Sequence, residues 1–184
     1  MALTPSNMLP LGTAAPDFKL VDTVDNTLKS LQELKGIKGT LVMFICNHCP
    51  FVIHINSQLS QLAKDYISKG FNCIAISSNN VEKYPQDRPE LMKQNAINND
   101  YIFPYLYDQT QSVAKAYDAA CTPDFFLFND SLKLVYTGQL DGSRPGNGIP
   151  VTGKDLRAAM DAIVNQQPVN QNQKPSVGCG IKWK

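Results

Sequence analysis

Two hydrophobic periods alternate along this chain and predict its elements. Residues 40–45, Thr-Leu-Val-Met-Phe-Ile, form a continuous apolar run of strand length, the pattern of a central strand buried on both faces. Beyond it, Val52, Ile55, Leu59, Leu62 and Tyr66 recur in steps of three and four. That spacing predicts one helix with a single apolar face, closed by Gly70. Phe71 to Ile76 reads as the next buried strand. Asp87, Pro89 and Glu90 supply the chemistry of a helix start, for a helix reaching about Asn98.

Further on, Tyr105–Tyr107 predicts a short strand, and Asp108 is placed to cap a helix running to about Tyr117. Phe125–Phe128 and Leu132–Thr137 predict a hairpin joined through Asn129-Asp130-Ser131. A loop rich in Gly and Pro covers Gly138–Pro150. A last helix is expected from a capping box at Thr152–Asp155, with Leu156, Ala159, Met160 and Ile163 on its apolar face. Gln166–Ser176 is a polar linker rich in Asn and Gln, followed by a tail that carries Cys179, Ile181 and Trp183. Apolar groups beside a terminus predict that this tail docks back on the domain, with Trp183 as its anchor.

Strands alternating with helices give a parallel sheet covered on both sides, and the closing hairpin adds antiparallel strands. The predicted fold is a three-layer α/β/α domain with a mixed central sheet. It spans 1–165, including an N-terminal extension, with 166–184 as linker and tail. A length of 184 residues with 43% hydrophobic content fits one core of this kind.

Charge narrows the function. Seventeen basic residues against sixteen acidic ones, with no basic stripe, leave nothing for nucleic acid to recognise. No apolar run approaches the roughly 20 residues of a membrane span. Met1–Pro16 lacks a charged segment followed by an apolar one, so the expected location is the cytoplasm. Five cysteines, an odd number, do not suit a structural disulfide framework there.

The chemistry centres on Cys46-Asn47-His48-Cys49-Pro50. Pro50 is a natural first helical residue, which makes Cys49 the N-cap and gives it helix N–H groups that favour a thiolate. Cys46 stands three residues earlier, at a spacing that reaches disulfide geometry across a tight turn. His48 offers a pH-dependent cation beside either sulfur. A zinc or copper site using Cys46, Cys49 and a histidine is the competing use of these residues; only His48 and His54 are present for it. Cys73, alternating along an apolar strand, is expected in the core.

The stretch Ala15-Pro16-Asp17-Phe18, the strand-to-CxxC-Pro unit, and Ala116-Tyr117 with Cys121-Thr122-Pro123-Asp124-Phe125-Phe126-Leu127-Phe128 resemble the AhpC/TSA, peroxiredoxin-related branch of the thioredoxin superfamily over about residues 11–165. The tail, too, resembles that of bacterial members with a Cys-Asn-His-Cys-Pro motif, which are described as thioredoxin-like or as thiol–disulfide oxidoreductases. The resemblance implies a thioredoxin fold and a cis peptide at Thr122–Pro123 facing the cysteines. It also implies that Cys121 lies near the redox pair, as an auxiliary thiol or an inert one, and Cys179 is a second candidate auxiliary thiol. No cofactor is called for; the implied partners are protein or small-molecule disulfides and thiols, and peroxide in the alternative below.

The chain departs from the peroxidase pattern P-x-x-x-[TS]-x-x-C. With Cys49 as the reactive residue, Val42 stands at the Pro position and Cys46 at the Thr position, and Thr122-Pro123 falls where peroxiredoxins use an Arg. Dithiol exchange at Cys46 and Cys49 is therefore the first reading, with a thiol peroxidase whose peroxidatic residue is Cys49 as the alternative.

Overall fold

The computed structural model describes residues 3–184. In chain order the elements are β1 (Leu3–Pro5), β2 (Lys19–Asp22), β3 (Leu28–Ser30), α1 (Leu31–Leu34), β4 (Gly39–Phe44), α2 (Pro50–Ile53), α3 (Asn56–Ile67), β5 (Phe71–Ser77), α4 (Pro89–Asn98), β6 (Tyr105–Tyr107), α5 (Ser112–Ala116), β7 (Cys121–Thr122), β8 (Asp124–Asn129), β9 (Leu134–Gly138), α6 (Lys154–Val164) and β10 (Val177–Gly180). A seven-stranded sheet has the order β3-β2-β6-β5-β4-β8-β9, and a small sheet has the order β1-β10-β7. β4, β5 and β6 run parallel, while β8 and β9 return antiparallel. The expected three-layer α/β/α thioredoxin fold is therefore present.

β4 shows why an unbroken apolar run belongs at the centre. Successive side chains point to opposite faces, so Leu41 and Met43 enter one core and Val42 and Phe44 the other. The first core takes Leu59 and Leu62 of α3 and Leu156 and Met160 of α6. The second takes Leu31 of α1 and Val113 and Ala114 of α5. There Phe44, Tyr117 and Phe126 meet at centroid distances of 5.5–5.8 Å, tilted or edge-on, as ring quadrupoles favour.

Five features go beyond or against those expectations. No element is predicted before residue 40, yet β2 and β3 form a hairpin that extends the sheet beyond β6. The helix predicted from Val52 is two helices, α2 and α3, broken at Ile55, whose φ and ψ of −111° and 1° leave the helical region. The apolar face continues across the break, which is why periodicity alone joined them. The predicted capping box at Thr152–Asp155 does not form: Gly153, at φ +71°, is the N-cap. The free Thr152 and Gly153 N–H groups instead donate to the buried Asp141 carboxylate. The Asp155 carboxylate accepts from Gln139 Nε2.

The fourth concerns how the tail docks. It packs back on the domain as expected, but as a strand, β10, inserted between β1 and β7, with Leu3 and Thr122 flanking Cys179 on its two sides. The polar segment before it runs along β9, where the Gln173 side chain accepts from the Thr137 N–H and donates to the Val135 carbonyl. The fifth is the anchor. Ile181 is buried beside the second core, whereas Trp183 is 40% exposed. The Lys182 carbonyl accepts from Asn80 N and Gln111 Nε2, so backbone hydrogen bonding holds the tail end where an aromatic anchor was expected.

Candidate functional site

β4 ends at Phe44, and the chain turns through Cys46–Cys49 before Pro50 opens α2. Cys49 is the N-cap with extended backbone, and its carbonyl accepts from the Val52 and Ile53 N–H groups. A single turn of helix followed by a break carries little macrodipole, so the surroundings of Cys49 depend on nearby groups instead. Those groups come from the two-residue strand β7 and from β10.

Thr122 is the shared neighbour. Its hydroxyl lies 3.5 Å from Cys46 Sγ, and its carbonyl accepts from the Cys49 thiol at 3.1 Å. The peptide Thr122–Pro123 is cis, as the resemblance implied. Cys179 pairs opposite Thr122 across the β7–β10 ladder, on the same face. The glycine before it is required: a Cβ on Gly178 would drive into the Thr122 carbonyl. Cys46, Cys49 and Cys179 are all buried, at 1%, 0% and 4% exposure.

The three thiols are not equivalent. Cys49 is held down to about 5, first by hydrogen bonding to Cys46 and then, against the cost of burial, by Cys179, Thr122 and the Val52 N–H. Cys46 is pushed up by that same hydrogen bond, by burial and by the Asp87 carboxylate. Cys179 is pushed up to about 12 by burial and by its contact with Cys49.

Asp87 is the functional-site residue that sequence reasoning missed. It was expected to start α4, yet it is fully buried and turned toward the cysteine loop. One carboxylate oxygen accepts from the Asn47 N–H at 2.8 Å and more weakly from the His48 N–H at 3.4 Å. The other accepts from His48 Nδ1 at 2.7 Å and Asn79 Nδ2 at 2.8 Å. Asn79 Oδ1 in turn accepts from the Lys182 N–H, so the network joins the loop to the tail. Asn47 is fixed again by Tyr105 Oη and the Gln86 carbonyl. The only available signal was the Asp87-Arg88-Pro89 order, which serves equally for a helix start.

His48 stacks on Tyr84 at 5.4 Å, and its pKa is raised chiefly by the hydrogen bond to Asp87. Its Nδ1 is 3.9 Å from Cys46 Sγ, so it lies beside the first cysteine. Cys46, His48 and Asp87 form the one three-residue group of metal-type donors among the described residues. Within that group the nitrogen and the carboxylate are already bonded to each other. His54, the other histidine, meets Ser143 Oγ at 2.7 Å and is not part of that group.

Cys121 lies beside Thr122 on β7, but neighbouring strand residues face opposite sides, and its thiol turns to the Pro123 carbonyl. Burial pushes it far above the ordinary thiol range. Cys73 is buried in the core as expected, pushed up to about 12 by burial. Val42, at the peroxidase Pro position, is a fully buried core residue. Arg144 commits its guanidinium to the Asp141 and Ser143 carbonyls and to Gln139 Oε1.

Among solved structures, an uncharacterized conserved protein from Geobacillus kaustophilus is 56% identical with a TM-score of 0.98, over 100% of this chain and 97% of that one. A hypothetical protein from Sinorhizobium meliloti 1021 is 49% identical with a TM-score of 0.96, over 98% of each chain. The thioredoxin domain of a thiol-disulfide oxidoreductase from Bacteroides vulgatus shares the fold at 21% identity, with a TM-score of 0.61 over 71% of this chain and 89% of that one. No curated protein matches the chain in sequence. The Redoxin family model matches residues 10–156, most of the chain and all of the cysteine motif, and this protein belongs to that family.

Proposed function

We propose that this protein is a thiol–disulfide oxidoreductase acting through Cys46 and Cys49, with Cys49 as the attacking thiolate. The observation that carries the reading is the placement of the pair at the β4–α2 turn around Thr122, whose hydroxyl lies 3.5 Å from Cys46 Sγ and whose carbonyl lies 3.1 Å from Cys49 Sγ. The Asp87 carboxylate, within 4.8 Å of Cys46 Sγ, favours ionisation at Cys49 over Cys46. Cys49 thiolate attacks one sulfur of a substrate disulfide, forming a mixed disulfide and releasing the first substrate thiolate. Cys46, giving up its proton, then attacks the Cys49 sulfur and releases the second substrate thiolate, both of which take up protons. The protein leaves this cycle with a Cys46–Cys49 disulfide, and an external dithiol returns it to the reduced state.

Burial of the thiols and occupation of the β7 edge by β10 favour a compact small-molecule disulfide over an extended polypeptide as substrate. The reading fits a reducing compartment such as the cytoplasm. Absence of a hydroxyl at position 46, and commitment of the Arg144 guanidinium to nearby acceptors, favour exchange over peroxide reduction. The test compares turnover of a small aromatic disulfide and of hydrogen peroxide with a dithiol reductant. Disulfide turnover abolished by Cys49→Ser is expected; peroxide consumed faster than the disulfide would instead establish the peroxidase.

A further inference from the structure

The strand pairing puts a third thiol in the redox centre. Cys179 lies directly opposite Thr122 across the antiparallel β7–β10 ladder, so the two side chains share one face. That face of Thr122 is where Cys46 Sγ meets the hydroxyl at 3.5 Å, and the same residue's carbonyl takes the Cys49 thiol at 3.1 Å. Glycines flank Cys179 on both sides. At Gly178 a side chain would collide with the Thr122 backbone, and at Gly180 a Cβ would lie 3.1 Å from Thr4 Oγ1. The backbone is pared down where it brings Cys179 in.

The tail is also firmly fixed. Ser176 Oγ donates to the Pro123 carbonyl at 2.7 Å, Ile181 N donates to the Ala120 carbonyl, and Lys182 N donates to Asn79 Oδ1 at 2.8 Å. These bonds bracket Cys179 on either side, so its position opposite Thr122 is held by the fold.

We propose that Cys179 is a second resolving thiol for Cys49, forming a Cys49–Cys179 disulfide that competes with Cys46–Cys49 and bolts the C-terminal strand onto the active site. The proposal rests on the oxidoreductase reading above. A small-molecule disulfide such as oxidised glutathione is the oxidant. Cys49 thiolate attacks it, forming a Cys49–glutathione bond and releasing one glutathione thiolate. Cys179 loses its proton and attacks the Cys49 sulfur, releasing the second glutathione. Two protein thiols are thereby oxidised and one disulfide is reduced to two thiols. Once Cys49 is in the mixed disulfide its negative charge is gone, which removes part of what keeps Cys179 protonated. Cys46 still faces Asp87 at that stage.

The experiment uses the full reduced chain carrying Cys46→Ala, treated with oxidised glutathione, trapped with acid and an alkylating agent, and mapped by peptide mass. A Cys49–Cys179 disulfide is expected. Glutathione should leave Cys49 at least about tenfold more slowly when Cys179→Ala is added, since the intramolecular thiol is lost. A persistent Cys49–glutathione adduct with Cys179 free to alkylate overturns the proposal. The wild-type chain is mapped in parallel. There, Cys46–Cys49 without any Cys49–Cys179 species overturns the proposal while leaving the oxidoreductase reading intact, and no oxidation at Cys49 overturns both. If Cys46→Ala does not fold, the wild-type map decides, and a measurable Cys49–Cys179 fraction is the expected result.

Discussion

His48 Nδ1 donates to a carboxylate oxygen of Asp87 at 2.7 Å, and Asp87 has no exposed surface. This pairing fixes both the charge and the shape of the loop between the two cysteines. The carboxylate that raises the histidine pKa also accepts the Asn47 and His48 N–H groups and pushes Cys46 up.

Asp87→Asn should therefore lower the His48 pKa, as followed by NMR titration of its ring protons. It should cost about 1.5–3 kcal/mol of stability in chemical denaturation, the range for a hydrogen bond to a charged group. The cost depends on pH. The His48 pKa is raised above 6.5 in the folded state, so the pair contributes fully below 6.5, and its contribution is lost as pH rises through the folded value. The gap between wild type and variant should narrow on the alkaline side to what the Asn47, His48 and Asn79 N–H groups contribute. A constant gap from acid to alkaline pH would show that only the loop hydrogen bonds matter.

A second expectation concerns Cys49 directly. Thiolate absorbance of the reduced protein should rise with a midpoint near 5, and Cys49→Ser should remove that step. A depressed pKa adds stability that is fully present above the ordinary thiol value and fades as pH falls through about 5. Cys46→Ala removes the largest stabilising contact and should move the midpoint upward. A midpoint that stays in place would assign the depression to Cys179 and Thr122.

Cys121 and Gly178 separate packing from chemistry. Cys121→Ala should leave disulfide exchange within about twofold of wild type, because its thiol faces away from the Thr122 side and burial keeps it protonated. Gly178→Ala should cost about 1–3 kcal/mol in denaturation, the usual penalty for overpacking, since its methyl meets the Thr122 backbone. Exchange should slow in this variant, as β10 and Cys179 are pushed off the site.

How much of this was legible in the sequence follows from the range of each interaction. β4 was readable because six consecutive residues carry the signal and both faces are buried. The cysteine motif was readable because its parts are adjacent. Asp87 was not, because its partner Asn47 lies forty residues away and a helix start explains the same letters. β10 was missed because Val-Gly-Cys-Gly has low strand propensity, and only the edges of β1 and β7 make it a strand. The break at Ile55 was hidden because the apolar face runs on through it. Local patterns thus gave the scaffold and the nucleophile candidates; the groups that make the two cysteines unequal arrive through tertiary pairing.

Thr122→Val tests whether the hydroxyl at the centre of the site is chemical or structural. Valine keeps the branched shape that suits β7, and it preserves the backbone carbonyl that accepts the Cys49 thiol. It removes the hydroxyl 3.5 Å from Cys46 Sγ, which also helps to hold Cys49 down. The loss of one hydrogen bond, about 0.5–1.5 kcal/mol, corresponds to roughly a two- to tenfold change in an equilibrium. The thiolate midpoint of Cys49 should rise from about 5 by less than about one pH unit, so exchange at pH 5 should slow by up to about fivefold, with little change at alkaline pH where Cys49 is ionised in either form. Stability should fall by no more than that same about 0.5–1.5 kcal/mol, because the branched shape is kept and one hydrogen bond is lost. A slowdown of equal size at every pH would mean that the hydroxyl orients the thiols instead of tuning their ionisation, and a large loss of stability would make Thr122 a packing residue of the small sheet.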